Sequence, residues 1–259
     1  MRPPLLIANW KMNMFREEAK AYCQELHSAL VQSPSLAKRV AWILIPPLTA
    51  LDILKPFQKG LYSLGAQNCH WEKGGAYTGE ISPFMLADVG CRYVIAGHSE
   101  RRMHFGESDE VVGRKVATIV EAGLVPILCI GEQWAERERG ETLQKIERQL
   151  LEGLRGVKKG GEMVVAYEPV WAIGSGKTPS AEEIADIHRA IRQILCAKFS
   201  PAWGNQASVV YGGSVHSQNA AQFASRPEVN GFLVGGASLK VKEFLAIAGA
   251  FRWRVPAKS

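Results

Sequence analysis

The chain is 259 residues long, 47% hydrophobic, and carries a formal net charge of +6. That length and apolar content suit one large packed core and exclude a disordered chain. The longest apolar runs, such as Leu124 to Ile130, are strand-length, far short of the roughly 18 residues a membrane span needs. Basic and acidic residues are interspersed, as in Glu136-Arg137-Glu138-Arg139, with no stripe of Lys and Arg interleaved with aromatics. The charge therefore reads as a mixed solvated surface rather than a nucleic-acid footprint, and it is also compatible with a positive mouth around an anionic substrate.

Met1-Arg2-Pro3-Pro4 runs straight into Leu5-Leu6-Ile7-Ala8, an apolar run too short for a signal-peptide core, so export is not expected. Five cysteines stand at positions 23, 69, 91, 129 and 196, without a Cys-x-x-Cys pair. An odd number without that spacing argues against a disulfide framework and against structural zinc, and points to a reducing compartment, the cytosol.

In chain order, an apolar strand over residues 5–10 precedes a helical pattern over 16–31. Strands follow over 40–45 and 62–66, then a short helix opening at Ser82-Pro83, and a strand over 93–96. A helix over 108–122 has acidic residues in its first turn and Gly123 after its end, both good boundary signals. Next come a strand over 125–130, a long helical pattern over 132–154, and a strand over 164–167. The helix over 180–199 opens with Ser180 and Glu183, the spacing of a capping box. The last units are a strand over 208–211, a short helix opening at Ser217, a strand over 231–234 and a helix over 241–251.

Several strands are apolar on consecutive residues, the pattern of parallel strands buried on both faces. Eight strands alternating with eight helices in this length predict a single-domain α/β fold, a closed (β/α)8 barrel over 1–259. A doubly wound open sheet is the alternative, but Ala8-Asn9-Trp10-Lys11 lacks the glycine-rich dinucleotide fingerprint expected after a first strand.

Chemistry in such a barrel sits at the C-terminal strand ends. Those ends carry Asn9 and Lys11, Gln67 and Asn68, Gly97-His98-Ser99-Glu100, Cys129 and Gly131-Glu132, Glu168, Gly212-Gly213-Ser214, and Gly235-Gly236. Singly, each has an ordinary structural reading; on one barrel face they form a candidate site. The glycine pairs let backbone N–H groups approach a ligand, and a short helix opening near Ala237-Ser238 would present its N-terminus to an anion, so the expected ligand is a phosphate monoester.

Gly174-Ser175-Gly176-Lys177-Thr178 ends like a P-loop, but Trp171 occupies the position where that motif requires its first glycine. Residues 169–179 read instead as a mobile lid with stiff ends and a small-residue tip. Gly97-His98-Ser99-Glu100 does not match the Gly-x-Ser-x-Gly elbow of hydrolases. No His and carboxylate cluster has metal-ligand spacing, so a reaction without metal or cofactor is expected.

Seven ordered segments resemble the triosephosphate isomerase family: Asn9-Trp10-Lys11-Met12-Asn13, Gly65-Ala66-Gln67-Asn68, Gly75-Ala76-Tyr77-Thr78-Gly79-Glu80, Gly97-His98-Ser99-Glu100-Arg101-Arg102, Tyr167-Glu168-Pro169-Val170-Trp171-Ala172-Ile173-Gly174, Tyr211-Gly212-Gly213-Ser214 and Gly235-Gly236-Ala237-Ser238-Leu239. The resemblance spans nearly the whole chain. It implies interconversion of dihydroxyacetone phosphate and glyceraldehyde 3-phosphate through an enediolate, a step of glycolysis and gluconeogenesis. By the acid–base pattern known for this family, it implies Glu168 as the proton-shuttling base and His98 as the neutral electrophile. Lys11 resembles the cation facing substrate and phosphate, and Asn9 an oxygen ligand beside it. Gly174, Ser214, Gly235 and Gly236 match phosphate-contacting positions, Glu100 the buried partner of the lysine, and Ser99 and Cys129 the pocket lining. The resemblance also implies a homodimer, with the loop 68–80 reaching the neighbouring site through Thr78. Ser175 stands where the family more often has Thr. Two alternatives remain at this point: another phosphosugar-processing barrel enzyme, and a non-catalytic protein on the same fold.

Overall fold

The structure, a computed structural model, describes residues 2–157, 161–172 and 177–251. Eight parallel strands close in sequence order into one barrel: β1 (Leu5–Asn9), β2 (Ala41–Ile45), β3 (Ser63–Ala66), β4 (Tyr93–Ala96), β5 (Val125–Ile130), β6 (Val164–Tyr167), β7 (Ser208–Tyr211) and β8 (Gly231–Val234). Closure is made by β1, whose Leu5 pairs with Gly231 and whose Ala8 pairs with Val234. The closed barrel replaces the open-sheet alternative, and every predicted strand lies within a residue of its observed bounds.

Side-chain alternation divides the core in two. Leu5, Ile7, Ile43, Ile45, Tyr93, Ile95, Val125, Ile127, Cys129, Val164, Ala166, Val210 and Leu233 form the barrel interior. The intervening residues, among them Leu6, Ala8, Leu44, Val165, Val209, Phe232 and Val234, pack outward with the helices. The same period of two continues past the strands. It carries the inward set on β1 from Ile7 to the strand's last residue, Asn9, and past the strand ends on β6 from Ala166 to Glu168, on β7 from Val210 to Gly212 and on β8 from Leu233 to Gly235.

The helices follow their predicted caps closely. Ala181–Lys198 begins with a reciprocal capping box between Ser180 and Glu183, and Ser82 and Ser108 cap Pro83–Val89 and Asp109–Glu121. The pattern over 132–154 is not one helix. It forms Trp134–Glu138 and Thr142–Gly153, because Gly140 at φ 72° ends the first piece. Glu132, the predicted first residue of that helix, lies outside it and is fully buried. Ser217 does not open a helix either. Glu243 holds it through its N–H at 2.6 Å and its hydroxyl at 3.1 Å, and the short helix Ala220–Ala224 starts after Asn219. The expected turn near Ala237 is one turn of 3-10 helix, Gly236–Leu239. Strict one-to-one alternation also gives way to extra short helices, including Pro34–Ala37, Ser99–His104 and Pro201–Gln206. Among the described residues no helix is long and apolar enough to cross a membrane, and none of the five cysteines is paired.

Candidate active site

Asn9, Lys11, His98, Glu168, Ser214, Gly235 and Gly236 line one cavity of about 350 Å³ at the C-terminal mouth of the barrel, together with Gly212, Gly213 and His216. Of the residues expected to act on the substrate or hold its phosphate, this omits only Gly174, which with Ser175 lies outside the described residues.

Glu168 is buried at the end of β6. Its Oε1 lies 3.0 Å from His98 Nε2, and its Oε2 accepts the Ser99 N–H at 2.9 Å. Burial pushes the carboxyl toward its neutral form. The charge and hydrogen bond of His98, the Ser99 N–H and Lys11 more than reverse that, so its pKa falls below the usual carboxylate value. Glu168 is therefore ionised at neutral pH.

His98 does not lie on the inward parity of β4. Gly97, at φ 70°, turns the chain, and a side chain there would collide with Val112 and Arg102. The turn makes His98 the N-cap of Ser99–His104, where its Nδ1 accepts the Glu100 N–H at 3.2 Å. Only Nε2 then carries the proton of the neutral ring, and it points at Glu168. Burial lowers the His98 pKa, while Glu168 and then Glu100 raise it, and the net position is above the ordinary imidazole value.

Lys11 holds a left-handed backbone, φ 54°, that a non-glycine residue adopts rarely. Two amide side chains brace it: Asn9 Oδ1 accepts its N–H at 3.1 Å, and Gln67 Nε2 donates to its carbonyl at 2.7 Å and to Ile45 O at 3.2 Å. The lysine Nζ meets Glu100 Oε1 at 2.5 Å. Glu100 thus contacts the lysine as expected, but it is not buried: its side chain is 40% exposed in the single chain. It faces a second cavity, of about 440 Å³, rimmed by Met12, Leu48, Gln67, Glu80 and Phe105.

Ser99 and Cys129, expected in the pocket lining, line neither cavity but are buried beside Glu168, and burial followed by the nearby Glu168 charge pushes the Cys129 thiol well above its ordinary value. It is a neutral, inert filler. Thr78 is exposed and lines neither cavity of its own chain.

A sequence profile of the triosephosphate isomerase family matches residues 4–251. The chain belongs to the triosephosphate isomerase family. It is 46% identical over 250 residues to the triosephosphate isomerase of a Synechococcus species, covering 95% of this chain and 96% of the relative. The Dictyoglomus thermophilum triosephosphate isomerase is 42% identical over 247 residues, with 94% and 98% covered. That of Aquifex aeolicus is 43% identical over 249 residues, with 95% and 99% covered.

Gln67 and Glu132 stand at strand ends, where residue type and spacing alone assign neither a role. Gln67 follows the inward parity of β3, the signal that could have placed it at the Lys11 turn. Glu132 is fully buried past β5; it accepts hydrogen bonds from Tyr167 Oη at 3.1 Å and Trp171 Nε1 at 2.7 Å, so it anchors the backbone just beyond Glu168. Burial raises its pKa, and the bonds from Trp171 and Tyr167 oppose the rise without reversing it.

Proposed function

We propose that the chain interconverts dihydroxyacetone phosphate and D-glyceraldehyde 3-phosphate, without a cofactor, by moving one proton through an enediolate. The observation that carries this reading is the meeting of an ionised, desolvated Glu168 with a His98 Nε2 donor and the Lys11 cation in one small glycine-rimmed cavity. Glu168 takes the proton from the carbon beside the carbonyl; a positioned base typically contributes about 10²–10⁴-fold. His98 and Lys11 donate to the oxygens that gain charge, with Asn9 beside them. The substrate itself resolves the acid–base balance of His98. When Glu168 turns from the ring to the substrate carbon, the main influence raising the His98 pKa leaves with it. Burial and the Glu100 N–H then favour the neutral ring, the form that donates from Nε2.

Lys11 and the backbone at Ser214, Gly235 and Gly236 are the proposed phosphate contacts, joined by Gly174 from the loop 169–179, the proposed lid. A covered site suppresses loss of phosphate from the enediolate. A homodimer is part of the proposal. Met12 and Phe105, 96% and 68% exposed, rim the cavity onto which Lys11 and Glu100 open, and Thr78 stands exposed on the loop 68–80. A partner's Thr78 loop filling that cavity would bury Glu100 against its lysine. Five unpaired thiols fit work in the cytoplasm.

A coupled assay with glyceraldehyde 3-phosphate tests the reaction, and absence of isomerisation by the purified protein would sink it. Glu168→Gln is expected to fold normally and to lose turnover by about 10²–10⁴-fold; near-normal turnover would refute the role of Glu168. A dominant monomer in gel filtration at low concentration would remove the role given to Thr78.

A further inference from the structure

The single 3-10 turn Gly236–Leu239 follows β8 after one residue, Gly235. Ser238, fully buried, fixes its start by donating to the Gly235 carbonyl twice, from its N–H at 2.8 Å and from its hydroxyl at 2.7 Å. A trans peptide points its carbonyl and its N–H in opposite directions. With the Gly235 carbonyl drawn toward Ser238, the Gly236 N–H faces away from it, and both glycines line the 350 Å³ cavity. A Cβ on Gly235 would stand 3.2 Å from Lys11 Cε, so the turn also lies against the lysine.

One turn of helix is too short to be rigid by itself. Support comes from the far end of the sequence. Tyr22, on the helix Arg16–Gln32, donates its hydroxyl to the Ser238 carbonyl at 2.8 Å. The tyrosine is 5% exposed, and its ring meets that of Trp10 edge-on, with centroids 4.8 Å apart and planes at 70°. Burial, then the neighbouring Cys23 and Glu25, push its pKa far above the ordinary phenol value, so the hydroxyl remains a donor at any working pH. Tyr22 lines neither cavity at the barrel mouth, so it reaches the site only through the turn. Without the hydroxyl, the Ser238 carbonyl would lose a donor in the interior, and the turn would shift toward arrangements that restore one.

We propose that Tyr22 is a positioning residue for the isomerisation: through its hydrogen bond to the Ser238 carbonyl it holds the turn Gly236–Leu239 in the arrangement that offers backbone N–H groups to the substrate's phosphate. The proposal rests on the isomerase reading and on the phosphate contacts given to Gly235 and Gly236. A neutral hydrogen bond of this kind biases a local equilibrium by about two- to tenfold. Apparent affinity falls with the fraction of molecules in the binding-competent arrangement, so phosphate binding weakens by a similar factor when the hydroxyl is removed. The loss belongs to the phosphate end of the substrate, not to the carbon from which Glu168 takes the proton.

The experiment compares the full chain with Tyr22→Phe and Tyr62→Phe. Tyr62 is a matched control: it is 6% exposed, donates its hydroxyl to the Leu54 carbonyl at 2.8 Å, and lines neither cavity at the mouth. For each protein the dissociation constants of inorganic phosphate and 2-phosphoglycolate, KM and kcat for glyceraldehyde 3-phosphate, kcat/KM for D-glyceraldehyde and the urea unfolding midpoint are measured. Both variants are expected to lower the midpoint. Only Tyr22→Phe is expected to weaken both ligands and raise KM by about two- to tenfold, with kcat changing less than KM. Its preference for glyceraldehyde 3-phosphate over D-glyceraldehyde, which has no phosphate, should fall by the same factor. A merely structural tyrosine would leave that preference unchanged. Ligand affinities of Tyr22→Phe equal to the parent's would overturn the proposal, as would equal weakening by Tyr62→Phe. A Tyr22→Phe chain that does not fold would overturn it too, because the hydroxyl would then serve the core as a whole. Failure of the parent to bind 2-phosphoglycolate or to isomerise substrate would instead overturn the isomerase reading, so the two failures are distinguishable.

Discussion

Gly212 offers a way to displace the proposed base without touching its chemistry. A Cβ at Gly212 would lie 2.8 Å from Glu168 Cγ, with Glu168 Oε1 at 3.6 Å. Carbon atoms in contact normally stand about 3.5–4.0 Å apart, so Gly212→Ala requires a movement of roughly 0.7 Å. Backward relief is blocked. The Glu168 carbonyl already occupies the place a Cβ of Gly131 would take, 1.7 Å away, and the carboxylate is wedged between His98 Nε2 and the Ser99 N–H. The side chain must therefore shift at its reacting end. A misplacement of about 1 Å typically costs about 10²-fold, so a fall in kcat of about 10- to 100-fold is expected, with an overpacking penalty of about 1–3 kcal/mol in stability. Steady-state kinetics with glyceraldehyde 3-phosphate and urea unfolding measure both. A folded Gly212→Ala protein whose kcat stays within about threefold of the parent would refute the claim that catalysis depends on where Glu168 is held.

Two further expectations concern stability. Lys115, fully enclosed, donates to Glu107 Oε1 at 2.6 Å and to Asn68 Oδ1 at 2.7 Å; Lys115→Met leaves the buried Glu107 with Arg101 as its charge partner and should cost about 3–5 kcal/mol by urea unfolding, whereas a loss under about 1 kcal/mol would show that the pair is not strongly coupled. His188 is buried, and burial lowers its pKa from 6.5 to about 4. The folded state therefore holds the ring neutral, and the stability this represents is present above about pH 6.5 and drains away as pH falls toward 4. The parent should lose about 2 kcal/mol more between pH 8 and pH 5 than His188→Gln, and equal pH sensitivity of the two proteins would refute the assignment.

The barrel was legible because its strands are short, apolar and separated by capped helices, and each of those signals is local. Ser82, Ser108 and Ser180 cap helices in the structure as their spacing suggests. Local signals also explain what was missed. Ser200-Pro201 carries the same opening as Ser82-Pro83, yet the predicted helix before it ends at 199 and the helix Pro201–Gln206 has no predicted element of its own. Ser99–His104 starts on a histidine cap, which residue type alone does not announce. Gly140 stands inside an otherwise continuous amphipathic pattern, so only its left-handed backbone reveals the break. In the site, Asn9, Lys11, His98 and Glu168 were readable as polar groups at strand ends. The roles of Gln67 and Glu132 were not, because each acts through a partner distant in sequence: Gln67 on the backbone of Lys11, and Glu132 on the indole of Trp171.

The alternation that fills the barrel also restricts what its mouth can hold. Inward positions of β1, β5, β6, β7 and β8 lead to Asn9, Cys129, Glu168, Gly212 and Gly235, so one large side chain at this level leaves room only for small neighbours. Glu168 is that side chain, and the sites beside it are a thiol and a glycine. His98 and Lys11 are the two other large groups, and neither follows the alternation. A turn at Gly97 places the imidazole, and a left-handed backbone braced by Asn9 and Gln67 places the ammonium. The regular part of the fold thus aims Glu168, the proposed base, while two local departures from regularity bring the imidazole and the ammonium to it. Restoring ordinary backbone at either departure would leave the barrel closed and Glu168 in place, but would take away one of the two donors proposed to serve the enediolate oxygens.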